Sequence, residues 1–338
     1  MSIEHPQKIE HPQRLTAQRV RGIWGGVTMS WSESDTFDGK QYEKNVRRTI
    51  DAKVHGIYTT GSTGEFYAIE FDEFRDMVDI QANLCGDARM PLQIGCCADA
   101  TRRTIRLLEY AASKPAVGAA QVVLPYWMEL SEREVLQFFA DLYRACPQLP
   151  LVHYNIPRAK RFLGGKDYQR ILEVCPSLIG VKYTFAGQNF SSLQDALRIT
   201  PGLSYFVGES LLASAMQLGA RGCYSSLVLT NPAFMLDFYA ACQAGHWQQA
   251  VAMQQHVARF FSDWETLVEG LGEGLADPVG DKGLAIAAGF LEGSPRCRAP
   301  YIGWSDPAVS RVRDWLAEHY PELVFGSEQK WRMDPVAR

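Results

Sequence analysis

Eight times between residues 22 and 245, a short apolar run is followed by a helix-length amphipathic stretch. The runs are 22–29, 55–61, 90–96, 118–125, 149–155, 177–183, 203–209 and 220–228. The stretches that follow them are 38–54, 70–86, 101–114, 131–146, 166–175, 189–199, 210–219 and 232–245. In the first stretch Tyr42, Val46 and Ile50 recur at spacings of four, which places them on one helical face. Ser131 and Glu134 open the fourth stretch as a capping box. Alternation of this kind predicts parallel strands joined by helical crossovers. Eight units are the number that a (β/α)8 TIM barrel requires. A doubly wound open sheet is the rival, and it calls for a glycine-rich nucleotide loop after its first strand. The segment "GIWGGVTMSWS" has no GxGxxG order, and no helix follows it at once. The expected fold class is therefore α/β, a TIM barrel.

Past residue 245 the alternation stops. The segments 247–271, 279–293 and 307–320 read as additional C-terminal helices, and 294–304 is broken by prolines. The expected division is an N-terminal extension (1–21), the barrel (22–245) and a C-terminal helical region and tail (246–338). With 338 residues, 46% of them hydrophobic, the chain can fill such a core. A net charge of -4 and the lack of a long basic run argue against a nucleic-acid surface. No segment reaches the roughly 18 continuous apolar residues of a membrane span. The first twenty residues are polar and read as a loose leader or an arm on a neighbouring subunit, not as a secretory signal. The eight cysteines contain no CxxC pair, so free buried thiols in a cytoplasmic protein are expected, without structural zinc.

In a TIM barrel the reactive face lies at the C-terminal ends of the strands. The second strand leads into "TTGSTGEF", where Ser62 and Thr63 sit between Gly61 and Gly64, ahead of Glu65. Glycines permit a tight turn that offers amides and hydroxyls to a small anion, though a plain turn reads the same way. The fourth run ends at Pro125, Tyr126 and Trp127, and the fifth at Tyr154 and Asn155. Lys182 closes the sixth apolar run, Gly208 and Glu209 the seventh, and Ser225 and Ser226 fall in the eighth. A buried lysine is expected to have a lowered pKa and a free amine, a nucleophile able to form a Schiff base with a carbonyl. The rival reading is a lysine whose head snorkels into solvent at a strand end. Tyr154, on the adjacent strand, is a candidate acid–base group or a packing residue with a satisfied hydroxyl.

Three motifs stand in order on the right units: Gly61-Ser62-Thr63-Gly64-Glu65, Tyr154-Asn155-Ile156-Pro157 and Gly180-Val181-Lys182. They resemble the marks of the dihydrodipicolinate synthase and N-acetylneuraminate lyase family of Schiff-base aldolases. The resemblance covers about residues 22–301. It implies that Lys182 forms an imine with pyruvate or another 2-keto acid and that Tyr154 moves the protons. It also implies that Ser62 and Thr63 hold the carboxylate, and that Gly208 lies near the substrate. It implies no metal or organic cofactor, since the imine itself is the electron sink, and a homotetramer or homodimer.

Departures from the family pattern matter too. The synthases have a tyrosine pair where this chain has Tyr126 and Trp127. They have an arginine where this chain has Ala159, flanked out of step by Arg158 and Arg161. Trp127, Lys182-Tyr183 and "CRAPY" at 297–301 bring the chain nearer the hydroxybenzylidene-pyruvate hydratase-aldolases, although those carry "YANP" where "YNIP" stands here. The expected activity is a hydratase-aldolase type of cleavage with an apolar or aromatic aldehyde, in a pocket of Trp24, Gly61, Tyr126, Trp127, Gly208 and Ser225. The alternatives are a 2-keto-3-deoxy sugar acid dehydratase, a dihydrodipicolinate synthase-like condensation, and a keto-acid-binding barrel without turnover.

Overall fold

The computed structural model describes residues 14–184 and 190–332. Eight strands pair in parallel, each with its neighbour in sequence, and β8 closes on β1. They are β1 (Gly22–Gly26), β2 (Gly56–Thr59), β3 (Leu92–Gly95), β4 (Ala119–Val122), β5 (Leu151–Asn155), β6 (Leu178–Tyr183), β7 (Ser204–Val207) and β8 (Gly222–Ser225). The crossover helices are α1 (Gly39–Asp51), α2 (Phe71–Asp87), α3 (Thr101–Ala112), α4 (Glu132–Ala145), α5 (Gly165–Val174), α6 (Phe190–Ile199), α7 (Leu212–Met216) and α8 (Pro232–Gln243). Three more follow: α9 (Trp247–Gly270), α10 (Val279–Ala287) and α11 (Asp306–His319). Each predicted strand is present. The strands are short because parallel strands enclosed by helices need only span the barrel wall.

The capping box at Ser131 forms as read, with the Ser131 hydroxyl accepting from the Glu134 amide. The stretch 210–219 forms only the five-residue α7 after a single 3-10 turn. Tyr42 and Val46 are buried on the inner face of α1. Phe260 and Trp264 of α9 are buried within this chain against Tyr320, Phe261 and Trp304.

The N-terminal extension lies partly outside the described residues. Its described part is not a loose leader. Leu15 and Val20 are buried against Trp24, Ala119, Val152 and Phe206 and plug the lower end of the barrel. The Leu15 amide donates to Gly118 O at 2.9 Å, and the Arg14 guanidinium donates to the carbonyls of Ala112 and Val117. A polar composition concealed this, because two apolar side chains suffice to close the end of a barrel.

Candidate active site

Strand pairing sets the centre. Tyr154 on β5 is in register with Lys182 on β6, and Lys182 with Phe206 on β7. Side chains in register on one face of a sheet are neighbours. The Lys182 ammonium lies 4.2 Å from the centre of the Tyr154 ring, 5.0 Å from that of Tyr58 and 5.6 Å from that of Tyr224. Among the described residues it makes no ion pair. It rests on a floor of ring faces, which attract a cation without holding it in place.

The turn after β2 passes directly over this lysine. A Cβ on Gly61 would stand 3.9 Å from Lys182 Nζ and 3.3 Å from Gln121 Nε2, so a side chain there would crowd the amine. Gly64 is fixed more tightly, since a Cβ would meet the Thr60 amide at 2.6 Å. Gly64 N donates to Gly61 O and Glu65 N to Ser62 O, both at 3.1 Å. That leaves the amides of Ser62 and Thr63 without a partner among the described residues. Glu65, in the left-handed region at φ 52°, turns its carboxylate away from the mouth. It is fully buried, accepts from Trp31 Nε1 and the Arg298 amide at 2.9 Å each, and pairs with the buried Lys282. The last residue of the motif thus clasps the turn to α10 and to the segment around Arg298.

The Ser62 hydroxyl lies 3.0 Å from the Tyr154 hydroxyl and donates to Asp277 Oδ2 at 2.8 Å. Thr63 Oγ1 donates to Asp281 Oδ2 at 2.5 Å. Asp277 also receives Arg158 Nη1 at 3.3 Å. Sequence reasoning missed both aspartates, which reach the turn from more than 200 residues away. The only local signal was weak: Asp281 lies in the first turn of α10 and Asp277 just before its start. Gln121 was missed as well. Its Oε1 accepts from Gln93 and its Nε2, beside Gly61, has no partner.

Burial pushes the Lys182 ammonium down, but Tyr154, Tyr58, Asp277 and Tyr224 push it up, and the net direction is upward. The expected lowering does not occur. The reason is the company of electron-rich oxygens around the amine. Asp281 is raised to about 7 by burial and by the adjacent Asp277.

A cavity of about 270 Å³ opens above Ser62 and Tyr154. Phe66, Tyr67, Tyr126 and Tyr301 form an aromatic wall, and Arg158, Ala159 and Asp277 lie on its rim. Phe66 meets Tyr126 edge to face at 6.0 Å, and Tyr67 meets Tyr301 at 5.1 Å. The Tyr67 hydroxyl is buried without a partner. Arg161 is turned away, donating to Leu130 O and pairing with Asp167.

Several expected pocket residues lie elsewhere. Trp24 is fully buried in the lower half of the barrel, its indole donating to Arg21 O at 3.0 Å. It does not line the mouth, because its inward direction on β1 leads into the plug. Trp127 is 79% exposed and stands outside the cavity, where its carbonyl receives Lys160. Ser225 is fully buried and uses its Oγ to accept the Val228 amide at 3.0 Å. A Cβ on Gly208 would meet nothing within 4 Å, so the chain is open there. Asn155 braces the loop after β5 by bonding Leu163 through both ends of its amide. Among the described residues no three His, Cys, Asp or Glu side chains gather as a metal set, and no helix is long and apolar enough to cross a membrane.

Residues 19–271 match the model of the dihydrodipicolinate synthetase family. A trans-O-hydroxybenzylidenepyruvate hydratase-aldolase of Pseudomonas aeruginosa is 26% identical over 322 residues, covering 87% of this chain and 90% of that protein. A 4-hydroxy-tetrahydrodipicolinate synthase of Thermus thermophilus is 26% identical over 290 residues, covering 84% and 91%. Among solved structures, YagE of E. coli K12, a family member in complex with pyruvate, superposes with a TM-score of 0.78 at 20% identity, covering 88% of this chain and 98% of that one.

Proposed function

The chain belongs to the dihydrodipicolinate synthetase family, and on that premise we propose that it is a class I lyase in which Lys182 forms a Schiff base with pyruvate or a pyruvate-derived 2-keto acid. The observation that carries the reading is the lysine itself. It is half-buried, ringed by phenols, and stands under a glycine that leaves its amine accessible. An ammonium in such a place gives up hydration, and the surrounding phenols and Asp277 offset that loss. The amine attacks the keto carbon, water leaves, and the protonated imine draws electrons from the neighbouring carbon–carbon bond. The lysine supplies the electron sink that a cofactor would otherwise provide. The free amides and hydroxyls of Ser62 and Thr63 are the donors for the substrate carboxylate. To receive it, the hydroxyls must give up Asp277 and Asp281 in part.

The second half of the proposal concerns the bond that breaks. The wall of Phe66, Tyr67, Tyr126 and Tyr301 favours an aromatic aldehyde as the product of cleavage, because ring edges and faces are what it offers. This supports the hydratase-aldolase reading over a sugar-acid dehydratase, because most of a polyol's hydroxyls would face ring carbons, with the Tyr67 hydroxyl as one free partner. Ala159 at the rim cannot hold a second carboxylate, and Arg158 is engaged by Asp277. That weighs against a synthase-like condensation. The exposed Trp127 and Met128 beside the mouth make a homo-oligomer, dimer or tetramer, part of the same proposal.

Borohydride reduction in the presence of pyruvate tests the centre. The expected outcome is a pyruvyl mass on the peptide carrying Lys182, with loss of activity. An unmodified Lys182 peptide under those conditions refutes the mechanism.

A further inference from the structure

We infer that Gln121 is a further substrate-binding residue, whose side-chain amide donates from β4 to the carboxylate of the keto acid joined to Lys182. The inference rests on the imine at Lys182 and deepens it. Inward side chains of a barrel stack in layers supplied by alternate strands. Tyr58 of β2, Gln121 of β4, Lys182 of β6 and Tyr224 of β8 follow that rule, and Gln121 is the one amide among them. It is fully buried. Its Nε2 lies 3.3 Å from the point where a Cβ on Gly61 would stand, and Lys182 Nζ lies 3.9 Å from the same point. The two nitrogens therefore look onto one small space beneath the turn that carries Ser62 and Thr63.

A chain of hydrogen bonds decides which end of the amide faces that space. The Tyr224 hydroxyl lies 2.7 Å from Gln93 Oε1, and among the described residues it has no other partner. A phenol with one neighbour that can accept gives its proton to it. Gln93 thus turns its oxygen to Tyr224 and its nitrogen to Gln121, where Nε2 donates to Oε1 at 3.2 Å. Gln121 is left with its own Nε2 toward Gly61, buried and without a partner among the described residues. A buried N–H in that condition costs free energy, which a bound acceptor removes. The carboxylate is the acceptor that fits. Its carbon is bonded to the carbon that Lys182 attacks, so it must lie close to both nitrogens. Its two oxygens have room for about four donors. The hydroxyls of Ser62 and Thr63 are shared with Asp277 and Asp281, whose charge opposes an anion there. A neutral donor from β4 offsets that opposition.

The test compares pyruvate with pyruvamide, in which the carboxylate is replaced by a neutral amide. For the parent protein, Gln121→Met, Tyr224→Phe and the double variant, the Lys182 adduct is trapped with borohydride over a range of ketone concentrations and weighed. The amount at saturation and the concentration giving half of it are read separately. Gln121→Met keeps the length of the side chain and removes the donor. Its half-saturating pyruvate should rise about 10–10²-fold, the range for a hydrogen bond to a charged group. The adduct at saturation should hold, because the contact is made equally before and after the imine forms. For pyruvamide the rise should be smaller, since only a neutral hydrogen bond is lost. Tyr224→Phe keeps the ring beside Lys182 but frees Gln93 to turn over, so pyruvate should weaken by a smaller factor than in Gln121→Met. The double variant should bind pyruvate no more weakly than Gln121→Met, since Tyr224 acts only by positioning that amide. An unchanged half-saturating pyruvate in Gln121→Met overturns the inference and leaves the imine standing. Equal weakening of pyruvate and pyruvamide does the same, as does an adduct that falls at saturation with no shift in the half-saturating concentration. Should Gln121→Met not fold, Tyr224→Phe decides by the same readings, and unchanged pyruvate binding there overturns the inference. A parent protein that takes no adduct overturns the imine and this assignment together.

Discussion

At its lower end the barrel is closed by Trp24, Val152, Phe206 and Leu15, whereas two residues beyond Val152 on the same strand stands Tyr154, beside Lys182. The two regions are built from the same strands with the same inward alternation. Below, the demand is volume. Gly56 is a glycine because a Cβ there would lie 2.5 Å from Trp24 Cε2, so the indole takes the space of two side chains. The polar atom of that indole is satisfied within the plug. Above, the demand is access. Gly61 withholds a side chain so that the amine stays open, and polar groups remain without fixed partners. Tyr58 and Tyr224 form the layer between, packed edge to face at 4.9 Å with Lys182 above them. A barrel interior is therefore a graded column, dry and fully packed at one end, and polar and underfilled at the other.

The sharpest way to break this contrast is to truncate one residue at each end. Lys182→Ala should reduce turnover by several orders of magnitude, because covalent activation is lost. It should change the denaturation midpoint little, since the rings and Asp277 that favour the ammonium offset the cost of its burial. Trp24→Ala should do the reverse. Loss of a buried indole costs about 3–5 kcal/mol, while the folded fraction should still take the pyruvyl adduct at Lys182. Urea titration and adduct mass on the same samples decide it. If Lys182→Ala destabilises as much as Trp24→Ala, or if Trp24→Ala stays folded and takes no adduct, the division of labour is wrong.

What the sequence made legible follows this division. Eight apolar runs bounded by helical patterns are local signals, and they define the barrel. Lys182 and Tyr154 stood out because each breaks the apolar character at the end of its run. Trp24 was assigned to the mouth because the first run reads as 22–29, while β1 ends at Gly26 and its pleat sends the indole downward. Asp277, Asp281 and Tyr301 were invisible as site residues. Their closeness to the turn after β2 depends on how the C-terminal segment folds back over the barrel, a long-range contact with no local pattern. Glu65 was seen as part of a motif, but its partner Lys282 lies 217 residues on. The buried pair explains the glutamate as a clasp, which no reading of the turn by itself supplies.

A smaller effect concerns pH and the underfilled end. Asp281 is raised from its ordinary value to about 7, so the fold prefers its neutral form. That contribution is complete below about pH 4 and is lost as the pH rises through about 7, with a slope of up to about 1.4 kcal/mol per pH unit for one group. Asp281→Asn should remove this loss and flatten the upper part of the stability curve. His153, outside the barrel wall against Phe139 and Tyr168, is pushed by burial to about 3 and acts in the opposite sense. Its contribution is present above about pH 6.5 and fades as the pH falls. The difference between variant and parent isolates Asp281, because His153 is common to both. A difference that does not change between pH 4 and pH 8 would place the proton elsewhere.

The smallest expected effect tests how far outward the mouth extends. Two neighbouring aromatic residues divide at its rim. Tyr126 lines the cavity and packs on Phe66, while Trp127, on the other side of the same turn, is exposed. Tyr126→Ala removes a ring from the wall proposed to face the aldehyde. Aromatic contacts contribute about 0.5–1.5 kcal/mol beyond their area. The expected loss in kcat/KM for cleavage to an aromatic aldehyde is therefore about tenfold, with little change for an aliphatic one. Trp127→Ala changes a surface group, and such changes stay within about 0.5 kcal/mol, or roughly a factor of two. Comparing the two variants on an aromatic and an aliphatic substrate, at several protein concentrations, gives the answer. Equal losses from both variants would move the boundary of the site outward. A loss in Trp127→Ala that appears only where the protein is oligomeric would mean that a second copy folds the exposed indole into the mouth. The barrel end described here would then be one half of the site. If Tyr126→Ala leaves the aromatic preference intact, the wall of Phe66, Tyr67, Tyr126 and Tyr301 does not read the aldehyde, and the preference must come from the groups around Lys182 themselves.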